Sequence, residues 1–403
     1  MCIIMVSNVS GKRVLVASSM NAGAEVTSPV AKTLKERGAL VHLVSYGAAT
    51  SVFKQFGLPP DSIIEKSGSN RDEISTHLNS EVKRILGEFN PDVVLTGTQL
   101  QDADHRITLE QILWFSGRRS VAVTDTWINY NERFSDLVPG SNREIVPGTT
   151  RKYLPNVITA IDRFAFDQMV ALGFDPSTLA VTGNPYFEHV LTVGAGFSDS
   201  DKQALVEKPV FSSFTKGAKL VVFLSDSIET AYPDIGFTEK SVLASFIQGV
   251  VSLDCPINVV VRPHPFRGAN AKDAFDSSVP SSSKAKFVLH NPASARGSNP
   301  ANDYPIELLL AAADVVVGTI NNPLITAAIL RSSGNSPTVI QYIPGISDAK
   351  YRFYAFLADR GITSEALNEF DLARMLNSAL TGSLRQANFA PSVGAIDRVI
   401  DLL

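Results

Sequence analysis

The chain is poor in the residues that build covalent or metal-held scaffolds. Of its 403 residues only two are cysteine, Cys2 and Cys255, and they stand far apart. That spacing predicts reduced thiols in a cytoplasmic protein, and two cysteines cannot make a cysteine-based zinc site. Positive charge is also scarce: 36 Lys and Arg stand against 40 Asp and Glu, a formal net charge of -4. No broad basic surface follows, which argues against a nucleic-acid groove. No run reaches the roughly 18 apolar residues that a membrane-spanning helix needs. The opening Met1-Cys-Ile-Ile-Met-Val6 is apolar but too short for a signal peptide and lacks a basic n-region. Glycine-rich phosphate motifs are missing too. The loop Ser19-Met-Asn-Ala-Gly23-Ala-Glu25 has one glycine where G-x-G-x-x-G needs three, and no G-K-[ST] follows it.

What is present is a repeated strand–loop–helix pattern. Hydrophobic residues make up 44% of the chain and charged residues 19%, the composition of a globular protein too long for one ordinary core. In the first half, strands are predicted at 13–18, 40–45, 62–65, 91–96 and 120–124. Helices are predicted at 26–37, 48–56 and 71–89, the last with Ile74, Leu78, Val82, Ile85, Leu86 and Phe89 on one face. Further β-α units start at Asn156, and the strand at 179–182 ends in the turn Gly183-Asn184-Pro185. Alternation of this kind predicts a parallel, doubly wound sheet.

The pattern restarts at Lys219-Leu-Val-Val-Phe-Leu224, with Ser225-Asp226-Ser227 at its tip. Asn258-Val-Val-Val-Arg262-Pro263-His264-Pro265 follows and organises the second half. Its β-branched run reads as a buried parallel strand, and the two prolines fix an extended exit loop. Arg262 and His264 are therefore placed at a strand tip, where ligands bind in open α/β sheets. Asp314-Val-Val-Val-Gly318 is another buried strand. It runs into Thr319-Ile-Asn321-Asn322-Pro323 and a helix from Leu324. A small polar turn ahead of a helix N-terminus suits a phosphate, with Thr319, Asn321 and Asn322 as added donors. The stretch 266–283 reads as a surface excursion, and helices are expected near Tyr351–Ala358 and over Glu365–Leu380.

In the first half the acid/base candidates are Asp102, Asp104, His105 and Asp125, each near a strand tip. Asp102 and Asp104 serve equally as helix caps. Trp127 and Tyr130 are either core residues or a platform for a sugar or base. The expected domains are an acceptor-side Rossmann-like domain over 1–195, a linker over 196–218, a donor-binding Rossmann-like domain over 219–385, and a segment over 386–403 that packs back on the first. The expected cleft is lined by the tips at Ser18, Gly97, Thr124, Ser225, Arg262 and Gly318.

Val181-Thr-Gly-Asn-Pro185, Arg262-Pro-His-Pro265 and Ala313-Asp-Val-Val-Val-Gly318, with two such domains, resemble the GT-B superfamily of nucleotide-sugar enzymes. The nearest groups are bacterial surface-polysaccharide glycosyltransferases and UDP-N-acetylglucosamine 2-epimerases. Thr96-Gly97-Thr98 and the run from Asp125 to Phe134 look similar to the first group. The resemblance implies a α/β fold of two doubly wound domains facing across a cleft, a nucleotide-sugar donor (a UDP-sugar) bound in the second half, and no separate cofactor. It places Ser225, Arg262, His264, Thr319, Asn321 and Asn322 at the donor phosphates. Asn21, Thr98 and Trp127 fall on the acceptor or sugar side, and Asp125, Asp104, His105 and Glu25 are the candidate catalytic groups. Ser18-Ser19-Met20-Asn21 stands where the epimerases open with G-T-R-P-E, which places glycosyl transfer ahead of epimerisation or hydrolysis. A non-catalytic binding role is the third reading. No D-x-D lies at a strand tip of the second half, so metal-independent turnover is expected. The acceptor is unspecified and a homodimer stays open.

Overall fold

The computed structural model describes residues 8–101, 107–139, 141, 144–226, 228–231, 235–264, 268–281, 283–290, 305–334, 337–345 and 355–403. These divide into two compact units, Met1–His189 with Pro391–Leu403, and Val190–Ala390.

The first unit is built on seven parallel strands in the order β3-β2-β1-β4-β5-β6-β7. They are β1 (Arg13–Ser18), β2 (Leu40–Tyr46), β3 (Ser62–Ile64), β4 (Val93–Thr96), β5 (Arg119–Val123), β6 (Val157–Ala160) and β7 (Leu179–Val181). Between them run helices α1 (Asn21–Glu36), α2 (Ala49–Gln55), α3 (Arg71–Phe89), α4 (Leu109–Trp114) and α5 (Arg163–Ala171), with α6 (Pro185–Gly196) after β7. Strands β1 and β4 are buried on both faces, as continuous β-branched and leucine runs require. Leu15, Ala17 and Val94 pack with Leu78, Val82 and Ile85 of α3. The strand order reverses at β1, so the crevice outside β1 and β4 is the point where this topology binds ligands.

The second unit repeats the plan with six parallel strands in the order β10-β9-β8-β11-β12-β13. They are β8 (Lys219–Leu224), β9 (Ile257–Arg262), β10 (Lys286–Leu289), β11 (Val315–Gly318), β12 (Thr338–Tyr342) and β13 (Ser364–Ala366). Its helices are α7 (Asp199–Val206), α8 (Ile228–Ala231), α9 (Glu239–Val251), α10 (Gly268–Ser278), α11 (Ile306–Ala312), α12 (Pro323–Ser332), α13 (Phe356–Asp359) and α14 (Glu369–Leu380). Here the order reverses between β8 and β11. Asp314 ties the start of β11 to its surroundings. It accepts from the Leu220 N–H at 2.8 Å and pairs with Lys219 at 2.9 Å and Lys202 of α7 at 3.3 Å. The stretch 196–218, expected as a linker, thus carries a helix fixed to the second unit. Helix α15 (Ala395–Asp401) belongs to the first. Its N-terminal Gly394 and Ile396 N–H groups both donate to the Glu188 carboxylate at 3.0 Å.

Three local expectations are corrected. Helix α1 starts at Asn21, not Val26, so Gly23 lies inside the helix. The stretch 266–283 contains α10 rather than irregular chain, with a Lys272–Asp276 pair one turn apart on its exposed side. Residues 364–366 are a short sheet-edge strand, and the helix begins only at Glu369 behind an Asn368 cap. The first half of the helix expected at Tyr351–Ala358 lies outside the described residues, and α13 begins at Phe356. Among the described residues no helix is long and apolar enough to cross a membrane.

Candidate functional site

Each unit presents a polar cluster at the C-terminal tips of its central strands. In the first unit the cluster is built around a buried carboxyl. Thr108 caps α4 in a reciprocal capping box with Gln111, which sets Glu110 in the first turn of that helix. The Glu110 carboxylate reaches the end of β1 and accepts from the Ser19 N–H at 2.8 Å and the Ser19 hydroxyl at 2.8 Å. Glu110 is only 1% exposed. Burial pushes its carboxyl above the ordinary glutamate range, against the hydrogen bonds from Ser19 and Thr108 that favour the charged form. The sequence reading passed over Glu110. Its signal was the capping box that places it, T-x-x-Q ahead of an apolar run.

Asp125 leaves the tip of β5 and is 9% exposed. Its Oδ1 lies 2.5 Å from Nη1 of Arg133, a second buried side chain. The same Nη1 donates to the Thr98 hydroxyl at 2.6 Å. Asp125 and Thr98, expected to be a base and an acceptor contact, are thus brought together by Arg133, which ties the β4 and β5 tips. A carboxylate engaged by a buried guanidinium in this way serves to tie the two loops together. Around this pair Gln111 donates to the Arg133 carbonyl at 3.2 Å, and Gln101 donates to Asp136 at 3.1 Å. Burial would raise the Asp136 carboxyl, but hydrogen bonds from Lys152, Tyr153 and Gln101 hold it below the usual range.

The remaining first-unit candidates are dispersed. Trp127 is 4% exposed, donates its indole N–H to Asp162 at 3.0 Å and packs 5.7 Å from the Phe187 ring. It is a core residue of the unit and offers no open ring face. Asn21 opens α1, and its buried Oδ1 has no hydrogen-bond partner among the described residues. Glu25 is half-buried one turn further along the same helix. Asp102, Asp104 and His105 lie outside the described residues.

The second unit gathers more of the expected residues. Ser225 prolongs β8, its N–H donating to the Arg262 carbonyl at 2.9 Å. Arg262 ends β9 half-buried, and Nη1 lies 3.2 Å from Nδ1 of His290. On the other side of β8, the Asn321 amide crosses from the turn after β11 to donate to the Leu224 carbonyl at 3.1 Å. Gly318 makes room for that fold-back, since a Cβ there would sit 2.9 Å from the Asn321 Oδ1. Thr319 is buried, donates to Asp226 at 3.3 Å and accepts from Gln341 on its carbonyl at 2.8 Å. Its hydroxyl proton is therefore committed, and so are the first N–H groups of α12, since Leu324 donates to the Asn321 carbonyl at 3.2 Å and Ile325 to the Asn322 carbonyl at 2.8 Å. Pro323 opens α12 at a position where a missing N–H costs nothing. Asn322 is exposed, with no capping bond. His264 is half-buried two residues beyond Arg262. His290, Asp226 and Gln341 join this cluster through contacts across the sheet that no local sequence pattern marks.

Comparison with solved structures is consistent across nearly the whole chain. It is similar to the UDP-GlcNAc 2-epimerase from Methanocaldococcus jannaschii, at 13% identity and a TM-score of 0.66, covering 96% of this chain and 98% of that one. The UDP-GlcNAc 2-epimerase from Neisseria meningitidis bound to UDP-GlcNAc gives 13% identity and a TM-score of 0.64 over the same shares. The Anabaena protein HepE in complex with UDP and glucose gives 14% and 0.54 over 97% and 95%. The chain has the GT-B fold. No family model matches it, and no curated protein matches its sequence. In GT-B terms the first unit is the N-terminal Rossmann-like sheet and the second the C-terminal one. Every strand pair within each sheet is parallel, as that fold requires.

Proposed function

We propose that the protein is an enzyme acting on a nucleotide sugar. Its diphosphate is held in the Val190–Ala390 unit, and the reaction is epimerisation or hydrolysis of the sugar nucleotide rather than transfer to an acceptor. The observation that carries the first part is Arg262. It ends β9, with Ser225 at the tip of the adjacent β8 and the Thr319–Asn321 turn after β11 on the far side of β8. A guanidinium fork matches two phosphate oxygens at once. The positive end of the α12 dipole lies in the same turn. Together they favour the charge that grows on a departing diphosphate, without a metal.

The second part is supported by the structural likeness, which runs to UDP-GlcNAc 2-epimerases over almost their whole length. The residues alone put transfer first, and this likeness reverses that order. In this reading Arg262 and His264 contact the diphosphate, and Ser225 and Asn321 shape its cradle. Glu25, Asp104 and His105 remain the proton-transfer candidates. Asp125 stays a candidate as well, although its pairing with Arg133 favours a scaffold role. Incubation with UDP-GlcNAc, followed by proton NMR with and without sugar acceptors, tests the proposal. A new epimer or free UDP without acceptor is the expected result. Release that depends on an acceptor returns the protein to the transferases, and binding without turnover makes it a non-catalytic member of the fold.

A further inference from the structure

His290 is 1% exposed and follows directly on β10. Its own N–H donates to the Val261 carbonyl at 2.9 Å, which prolongs the β9–β10 pairing and holds the residue beside Arg262. Its ring lies 6.3 Å from that of Phe211, which stacks on Phe214 at 4.9 Å. That aromatic turn is anchored in turn by β9. Asn258 accepts from the Thr215 N–H at 2.8 Å and donates to the Thr215 carbonyl at 2.9 Å. One strand therefore carries both Arg262 and the anchor of the wall behind its partner.

Arginine has N–H donors and no acceptor, and it does not give up its proton in proteins. In the 3.2 Å contact with Arg262 Nη1, His290 Nδ1 is therefore the acceptor. The imidazole is then the Nε2–H tautomer. We propose that His290 is the positioning residue of the donor site: through Nδ1 it fixes the Arg262 guanidinium so that its remaining N–H groups face the diphosphate. This rests on the proposed function, since it assumes that Arg262 receives a diphosphate. Each contact that fixes the guanidinium in advance removes rotamer freedom that binding would otherwise have to restrict.

The test uses the full chain, with His290→Leu and His290→Asn compared by calorimetric titration of UDP and of uridine. Leucine removes the acceptor, while the asparagine Oδ1 falls near the position of the imidazole Nδ1. Losing a hydrogen bond to a charged group predicts about ten-fold weaker UDP binding for His290→Leu, with His290→Asn within about three-fold of the parent. Uridine affinity should be unchanged in both. Equal UDP affinity in parent and His290→Leu overturns the inference alone. No UDP binding by the parent overturns the donor-site reading and the inference with it. Nitrogen-15 NMR of the ligand-free parent gives a check that needs no variant. An unprotonated Nδ1 on His290 at neutral pH is expected, and an Nδ1–H tautomer contradicts the proposal.

Discussion

Gly97, at the end of β4, lies so close to Gly23 of α1 that a Cβ on Gly97 would sit 2.3 Å from the Gly23 Cα. The first turn of α1 is thereby pressed against the β4 tip at the point where the strand order reverses. Gly97→Ala is expected to destabilise the protein by about 1–3 kcal/mol, the usual cost of overpacking against backbone that cannot rotate away. Gly23→Ala should cost less. Its worst contact is the Ser18 hydroxyl, which can turn aside, and alanine favours a helix. Urea denaturation of the two variants checks the order, and a larger loss for Gly23→Ala would contradict it.

Asp125 and Arg133 should behave as one buried pair. Removing one partner leaves an uncompensated charge, which typically costs about 3–5 kcal/mol. Asp125→Asn is therefore expected to lower the melting temperature markedly. Adding Arg133→Gln to it should recover a large part of the loss. A melting curve unmoved by Asp125→Asn, with turnover abolished, would restore Asp125 to the role of base.

The strands were legible in the residues because parallel, doubly buried β-strands are written as unbroken β-branched runs: Leu220–Phe223, Val259–Val261 and Val315–Val317 announce themselves. The start of α1 was not. Ser19-Met-Asn-Ala-Gly reads as loop by its small and polar residues, and only the partner glycine on β4 shows why Gly23 is tolerated in a helix. Strand β13 has three residues, too few for a period to appear. Within the second-unit site, Arg262, Thr319 and Asn321 were readable because each follows a strand. His290 and Asp226 become site residues only through neighbours across the sheet, and their hydrogen bonds are long-range in sequence. Trp127 had two readings in the sequence, and Asp162 and Phe187 decide between them by enclosing it.

The raised Glu110 carboxyl gives a stability test with a definite sign. Between the ordinary glutamate range and the raised folded value, the folded state keeps a proton that the unfolded chain has lost. Stability from this group is thus fully present in acid and is lost as pH rises through the folded value. Glu110→Gln removes that slope. The difference in unfolding free energy, parent minus variant, should fall from acid toward neutral pH in a urea series, and a difference that rises instead would contradict the assignment.

Turnover of the nucleotide sugar is expected to persist in EDTA, because Arg262 and the N-terminus of α12 supply the positive charge that the leaving diphosphate needs. Loss of activity in chelator, restored by manganese or magnesium, would show that a divalent cation shares this task.

The central claim is that Arg262 receives a diphosphate, and Arg262→Lys tests it most directly. Lysine keeps the charge but replaces a planar fork with a single ammonium. Hydrogen bonds to charged groups contribute roughly 1.5–3 kcal/mol each, so losing the bidentate contact predicts about ten-fold or more weaker nucleotide binding. The thermal midpoint should stay nearly unchanged, because Arg262 is only half-buried. Calorimetric titration of UDP into the parent and the variant, beside melting curves of both, gives the answer. A ten-fold weaker UDP affinity with an unshifted midpoint is the predicted result. Unchanged affinity with a lowered midpoint would make Arg262 a structural residue and contradict the claim.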